Sequence, residues 1–419
     1  MPTKTTEPLG PPRPYLIALL FLVVICRYLY VEWSVNHGLS LHGLGLPAEG
    51  IYADALNDWR SGADPYRTIH GALRFVYPPV FLYAGGFLER LFPNQIGWFL
   101  YALVYLASTI ALPIVLARYY FRQSWLNTGF ALLIFFAEPR LTGVMALANG
   151  NIASLLYLLA LLAALPGLDK NRWAFFYAVV FAGGLVKLPY LLLLLFPLLI
   201  GTRQWRNCSI SVAAVMVAYL IQRFTLPKLY AGYKWSVQQQ LTVINHYGYG
   251  VLGIAAGVEH KLFGKVGTIS SLVAAGFTIS VVGVLFILRH RIAEPASNRL
   301  WISLILLSTV LASPRILPYD ADIALMAAYV IFVIVLKTRR LILLLILLFL
   351  PSLVVPHLIR SPTLAGCYET LLLLFAFVGG FAVLWRESAA LKLGADPPRL
   401  SAPAGGTLAE TASKGPAFR

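Results

Sequence analysis

Ile96-Gly-Trp-Phe-Leu-Tyr-Ala-Leu-Val-Tyr-Leu-Ala-Ser-Thr-Ile-Ala-Leu-Pro-Ile-Val-Leu116 contains no charged residue and decides the class of the chain. About 20 apolar helical residues cross a hydrocarbon core, and this run is that long. Tyr15–Val31 and Leu341–Val355 repeat the pattern. The runs are continuous rather than alternating, so the spans are helices and not barrel strands. Composition agrees: 59% of the 419 residues are hydrophobic, 12% are charged, and the mean hydropathy is +0.75. A soluble domain carries roughly twice that share of charge. The chain reads as an all-α polytopic membrane protein.

The net charge of +16 does not indicate nucleic acid, because its basic residues come in short clusters between apolar runs. Arg118/Arg122, Lys170/Arg172, Arg203/Arg206, Arg289/Arg291, Lys337/Arg339/Arg340 and Arg386/Lys392 mark alternate loops as cytoplasmic. With those loops inside, about twelve spans follow: 15–33, 96–120, 125–142, 149–166, 173–187, 189–201, 207–226, 265–288, 299–312, 320–336, 340–356 and 368–386. Residues 1–14 form a cytoplasmic N-terminal segment with no cleavable signal. Residues 15–388 form the membrane domain, and 389–419, rich in Ala, Pro, Gly and Ser, form a disordered cytoplasmic tail. Two long segments stay outside, 34–95 and 227–264. Within the first, Val80–Phe92 is too short to span, and crossing there would invert every later loop. It is expected to lie in the interface as an amphipathic helix. Cys26, Cys208 and Cys367 follow no metal spacing and read as small hydrophobes.

The first outer segment gathers acid in a basic chain. Of 17 acidic residues, Glu49, Asp54, Asp58 and Asp64 fall within sixteen positions. Asp54 and Asp58 are spaced i,i+4, with Tyr52 and Glu49 about a turn earlier, so on a helix they share a face. Mutual repulsion raises one pKa, which suits a general base. Pairing with Arg60, Arg67 or Arg74 is the competing account. Asp64, in Gly62-Ala-Asp-Pro-Tyr66, reads as a turn cap.

Polar residues at the outer ends of spans are costly and need a reason. Lys187 stands between one apolar run and Pro189. It either snorkels to headgroups or meets a lipid phosphate. Ser313-Pro-Arg315-Ile-Leu-Pro318-Tyr319-Asp320 is a turn broken by two prolines. It projects Arg315, whose guanidinium can grip phosphate oxygens or pair with Asp320. Arg140 and Asn149-Gly-Asn151 occupy another outer turn. Tyr52, Tyr66, Tyr77, Asn151, Tyr319, Asp320 and His246 complete the candidate substrate-binding set. Midplane ionisable residues and repeated halves would indicate a transporter or flippase, the alternative class, but the polar residues gather at one face and no repeat is visible.

Tyr52-Ala-Asp54, Gly62-Ala-Asp-Pro-Tyr66, Phe75-Val-Tyr-Pro-Pro79, Gly150-Asn151, Lys187-Leu-Pro189, Ser313-Pro314 and Tyr319-Asp320 occur in that order. This pattern resembles the polyprenyl-phosphate-dependent glycosyltransferases of family 87, which include mannosyltransferases of phosphatidylinositol mannoside synthesis. The resemblance covers roughly residues 50 to 390. It implies a GT-C fold with a large first outer loop bearing the catalytic acid, and a hexose, mannose foremost, on a polyprenyl-phosphate donor. It also implies a glycolipid or polysaccharide acceptor at the extracytoplasmic face of the plasma or inner membrane. The reaction would be inverting, with Asp54, Glu49 or Asp58 as base in that order of preference. Lys187, Arg315 and Arg140 would hold the phosphate, and no cofactor is named. The family places an acid about four residues before the loop tyrosine. Here that position is Ala48, with Glu49 beside it.

Overall fold

The segment expected outside, 34–95, begins its described part with a helix because small and aromatic residues recur on one face. In the computed structural model, Pro47–Ser61 is a helix (α1) that buries Ala48, Tyr52, Ala55 and Leu56. Glu49 in its first turn and Arg60 in its last complement the helix dipole. Gly62, at φ +81°, lets the chain leave in a left-handed step, and Ala63 N–H closes the end on the Asp58 carbonyl at 2.9 Å. The structure describes residues 47–70, 73–92, 95–120, 149–240, 248–292, 294–336 and 367–392, with isolated helical positions at 18, 22, 128–129, 131–132 and 135–136.

Beyond α1, Asp64 Oδ1 accepts the Tyr66 N–H at 3.0 Å and makes the expected turn. A two-residue antiparallel ribbon follows, Ile69–His70 (β1) against Leu73–Arg74 (β2). Pro78 and Pro79 then start a helix, Pro79–Leu91 (α2). Glycines let α2 lie close on α1: a Cβ on Gly85 would stand 2.9 Å from Leu56 Cδ1. An Arg60–Glu89 ion pair ties the two. The other face exposes Tyr83, Phe87, Leu88, Leu91 and Phe92, which fits the interfacial helix expected for 80–92.

The membrane region contains the helices Gln95–Tyr120 (α3), Ala153–Lys170 (α4), Ala174–Val186 (α5), Leu195–Ile200 (α6), Trp205–Thr225 (α7), Pro227–Gln240 (α8), Val251–Phe263 (α9), Thr268–Arg289 (α10), Arg299–Leu311 (α11), Pro318–Leu336 (α12) and Cys367–Lys392 (α13). Helices α11, α12 and α13 pack on one another at the centre, and every residue of α11 from Leu300 to Leu311 is buried. By contrast, α3, α7, α10 and α13 carry exposed Phe99, Leu103, Phe224, Leu272, Ile279 and Phe375, a surface suited to lipid.

Five helices among the described residues are long and apolar enough to cross a membrane: Ile96–Tyr120, Ala153–Lys170, Trp205–Thr225, Thr268–Arg289 and Thr370–Ser388. The spans expected at 173–187, 189–201 and 299–312 are present as shorter apolar helices. At 1.5 Å per residue, a 13-residue helix such as α5 reaches about 20 Å, less than a hydrocarbon core of about 30 Å. The fourth span begins at Ala153 rather than at 149, because Asn149-Gly150-Asn151 is spent on a turn. The expected spans 15–33, 125–142 and 340–356 lie outside the described residues, apart from isolated positions. The last helix continues to Lys392, past the expected start of the tail.

Two helices, α8 and α9, occupy most of 227–264. Glu259 on α9 caps α10, its Oε2 accepting the Ser270 N–H at 3.1 Å. Burial works against its charge, but the Ser270 hydroxyl and the amides of Gly267, Ser270 and Ile269 outweigh this and hold the carboxyl below its usual range.

Candidate functional site

Helix ends converge on one cavity of about 350 Å³. Its walls come from α1, the ribbon exit, the turn before α4, the break after α5, one face of α8 and the turn before α12. Tyr52, Tyr77, Asn151, Lys187, Arg315 and Asp320 all line it. They are widely separated in sequence and were singled out from it one by one.

Local chemistry explains each placement. Pro189 cannot donate a backbone hydrogen bond, so α5 stops at Val186, and Lys187 adopts an extended conformation at φ −146° and ψ 117°. A 3₁₀ turn, Leu188–Leu194, carries the chain onward. Freed from the helix, Lys187 Nζ donates to Asn151 Oδ1 at 3.2 Å and stands 3.9 Å from Asp320 Oδ1. Gly150, at φ +75°, turns the chain so that Asn151 faces inward, and its carbonyl accepts the Tyr101 hydroxyl at 2.6 Å. Asn151 Oδ1 also accepts the Ala153 N–H at 3.1 Å, and Nδ2 donates to the Tyr77 hydroxyl at 2.9 Å. The Tyr77 and Tyr52 hydroxyls are 2.8 Å apart. A hydrogen-bonded chain therefore runs from the loop helix to the ammonium: Tyr52, Tyr77, Asn151, Lys187.

Arg315 enters from the opposite wall. Its Nη1 donates to Gln240 Oε1 at 3.4 Å. Its Nε is buried with no hydrogen-bond partner among the described residues. The second outer segment is pressed onto this turn through Gly248, at φ +75°, where a Cβ would meet the Ile316 carbonyl oxygen at 2.5 Å. Tyr249 N–H then bonds that carbonyl at 2.9 Å. Asp320 reaches the cavity from the first turn of α12, which Pro318 begins.

The loop acids are placed differently. Asp54 is exposed, Asp58 and Glu49 are half-buried, and none of the three lines the cavity. Glu49 lies nearest by position, between the lining residues Ala48 and Ile51. Tyr66, expected to bind substrate, is fully buried and donates to the Tyr77 carbonyl at 3.0 Å. Burial pushes its ionisation well up, so it stays a neutral donor that braces the ribbon. Arg140, His246 and the side chain of Tyr319 lie outside what the structure describes.

Arg74 and Gln240 are among the lining residues that escaped the sequence reading. Arg74 was weighed only as a partner for loop acids, although it directly precedes Phe75-Val-Tyr77. Gln240, the neighbour of Arg315, carries no local signal at all. Behind the cavity, fully buried Asp322 accepts from the Ser154 hydroxyl at 3.5 Å, at the start of α4. No group of three His, Cys, Asp or Glu among the described residues could hold a metal ion.

The cavity also has a consistent end of the bundle. Lys170 lies in the last turn of α4, whose other end follows cavity-lining Asn151, and α5 runs from beside Arg172 to cavity-lining Val186 and Lys187. Arg299, at the start of α11, donates to the Tyr120 carbonyl at 2.8 Å, away from the Arg315 turn. The Lys170/Arg172 cluster thus sits at the end of α4 and α5 opposite the cavity.

No curated protein matches the chain. The family model of glycosyltransferase family 87 matches residues 75–314, more than half of its length and inclusive of Tyr77, Asn151 and Lys187. The chain belongs to glycosyltransferase family 87 and is a glycosyltransferase with membrane-spanning helices.

Proposed function

We propose that this glycosyltransferase moves a hexose, with mannose the first choice, from a polyprenyl-phosphate donor to a glycolipid or polysaccharide acceptor. The reaction occurs at the extracytoplasmic face of the plasma or inner membrane, on a GT-C framework of about twelve spans. The observation that carries the reading is Lys187 and Arg315 in one cavity, with the buried Arg315 Nε unpartnered among the described residues. Cations aimed at a departing phosphate stabilise charge as it develops. The end of the bundle opposite the basic clusters is the outer end under the positive-inside rule.

The acceptor hydroxyl attacks the anomeric carbon and gives its proton to a carboxylate. The C1–O bond breaks, and its electron pair leaves with the lipid phosphate. In an inverting displacement, base and leaving group lie on opposite faces of the sugar. Asp320, 3.9 Å from Lys187, stands on the leaving-group side. We therefore assign it to holding Lys187 and to sugar hydroxyls. The base comes from α1, and Glu49 now precedes Asp54 and Asp58, because it flanks cavity-lining Ala48 while Asp54 is exposed.

Purified protein supplied with labelled polyprenyl-phosphate sugars tests this. Glu49→Gln should slow transfer by about 10²-fold or more, the usual contribution of a general base. Asp54→Asn should change it less than about twofold, within the range of a neutral surface substitution. Full transfer by Glu49→Gln, Asp54→Asn and Asp58→Asn alike sinks the loop-base reading.

A further inference from the structure

We infer that the cavity is matched to a dianionic lipid monophosphate, the leaving group, rather than to the monoanionic phosphodiester of the donor, and that Arg74 supplies the additional charge. The inference rests on the proposed donor class.

Three cationic side chains line the cavity, Arg74, Lys187 and Arg315, against one lining carboxylate, Asp320, while the proposed base Glu49 flanks it and loses its charge on taking the acceptor's proton. Lys187 is paired with Asp320. Once Glu49 is protonated, the lining holds a formal surplus of two positive charges; neither Arg74 nor Arg315 is within ion-pair distance of a carboxylate among the described residues, and the charge of Arg315 also acts on Asp320. Arg74 is held in place by other means. Its Nη1 donates to the Arg67 carbonyl at 2.9 Å, and its guanidinium lies 4.8 Å from the Trp235 ring centroid. The neighbouring Arg67, also over Trp235 at 5.4 Å, is neutralised by Asp64 at 3.3 Å.

A sugar linked to a lipid phosphate carries one negative charge. When the C1–O bond breaks, the phosphate takes the electron pair and becomes a monoester. With a second pKa near 6, that monoester is a dianion at neutral pH. The surplus of two charges thus complements the state that develops along the reaction, and exceeds the charge of the bound donor. Interactions that strengthen in the transition state accelerate the chemical step. Arg74 and Arg315 do this, and the same match makes the lipid phosphate slow to leave.

Full-length protein in detergent tests the idea by isothermal titration with two probes, decyl monophosphate and its monomethyl ester. At pH 7.5 the monophosphate should bind about tenfold or more tightly than the ester. The gap should close near pH 5, where the monoester protonates toward a monoanion. It should also close in Arg74→Gln, while Arg74→Lys retains part of it. Matching thermal unfolding of these two variants guards against a folding defect. Equal affinity for both probes in the wild type, or an unchanged gap in Arg74→Gln, overturns the inference and leaves the donor reading standing. Binding of neither probe overturns both.

Discussion

Replacing Lys187 by Ala removes more than one attraction. At 3.9 Å and an effective dielectric near 20, the Lys187–Asp320 interaction is worth about 4 kcal/mol, an upper figure before desolvation and relaxation. A phosphate bound at similar range gains a comparable attraction from the ammonium. Without the lysine, the phosphate also faces an Asp320 carboxylate that only Arg315 offsets. Even half of that attraction, about 2 kcal/mol, is more than tenfold in rate, since each 1.36 kcal/mol is a factor of ten. The two effects together put Lys187→Ala about 10²- to 10³-fold below wild type in kcat/KM. Adding Asp320→Asn removes the repulsion but not the lost attraction. The double variant should therefore recover about tenfold over Lys187→Ala. The assay is initial-rate transfer of labelled sugar at matched folded-protein concentrations. A double variant no faster than Lys187→Ala refutes the assignment of Asp320 to the lysine and points to Asp320 as a reacting group instead.

Tyr77→Phe deletes a buried hydroxyl bonded to Tyr52 and Asn151, and should cost about 2 kcal/mol in chemical denaturation. Combined with Tyr52→Phe, the loss should fall short of additive by about 1 kcal/mol, and strict additivity would show that the two hydroxyls do not interact. Gly248→Ala, at φ +75° and with a carbonyl oxygen 2.5 Å from the new Cβ, should destabilise by about 2–3 kcal/mol. Gly62→Ala, at φ +81° in open space, should cost only about 1 kcal/mol, so equal melting-temperature losses for the two would contradict the packing of the second outer segment on the Arg315 turn. The folded-state pKa of Glu259 lies below its unfolded value near 4.3, so its stabilisation of α10 is present above that value and lost as pH falls through the folded one. Hydrogen exchange in the first turn of α10 should quicken on acidification from about pH 5 to 3 in wild type and depend less on pH in Glu259→Gln.

The helices were legible because uninterrupted apolar runs have few other ways to satisfy their backbone in lipid. Lys187, Arg315, Asp320, Asn151 and the tyrosine pair stood out because polar groups among apolar neighbours demand a reason. The orientation of the loop acids was not legible. Spacing places Asp54 and Asp58 on one face of α1, but Ala48, Tyr52, Ala55 and Leu56 decide which face is buried, and they turn Asp54 to solvent. Tyr66 belongs to the candidate substrate-binding set by its place in the Gly62–Tyr66 motif. Its contact with Gly232, where a Cβ would lie 2.9 Å from the ring, shows it instead wedged beneath α8. Arg74 and Gln240 owe their positions to distant pieces of chain, and a local pattern carries no such information.

The cavity walls have a consequence for how the enzyme comes into being. Tyr52 is made early in synthesis and Asp320 late, and Lys187 has neither its hydrogen-bond chain to Tyr52 nor its carboxylate until both have been inserted and joined. A nascent or truncated chain that ends at residue 314 contains the C-terminal end of the family match yet lacks Arg315 and Asp320. A fragment trimmed to residues 75–314 would also lose α1 and Arg74. On the proposed roles, the cavity is complete only near the end of insertion, and the stretch matched by the family model lacks part of its lining.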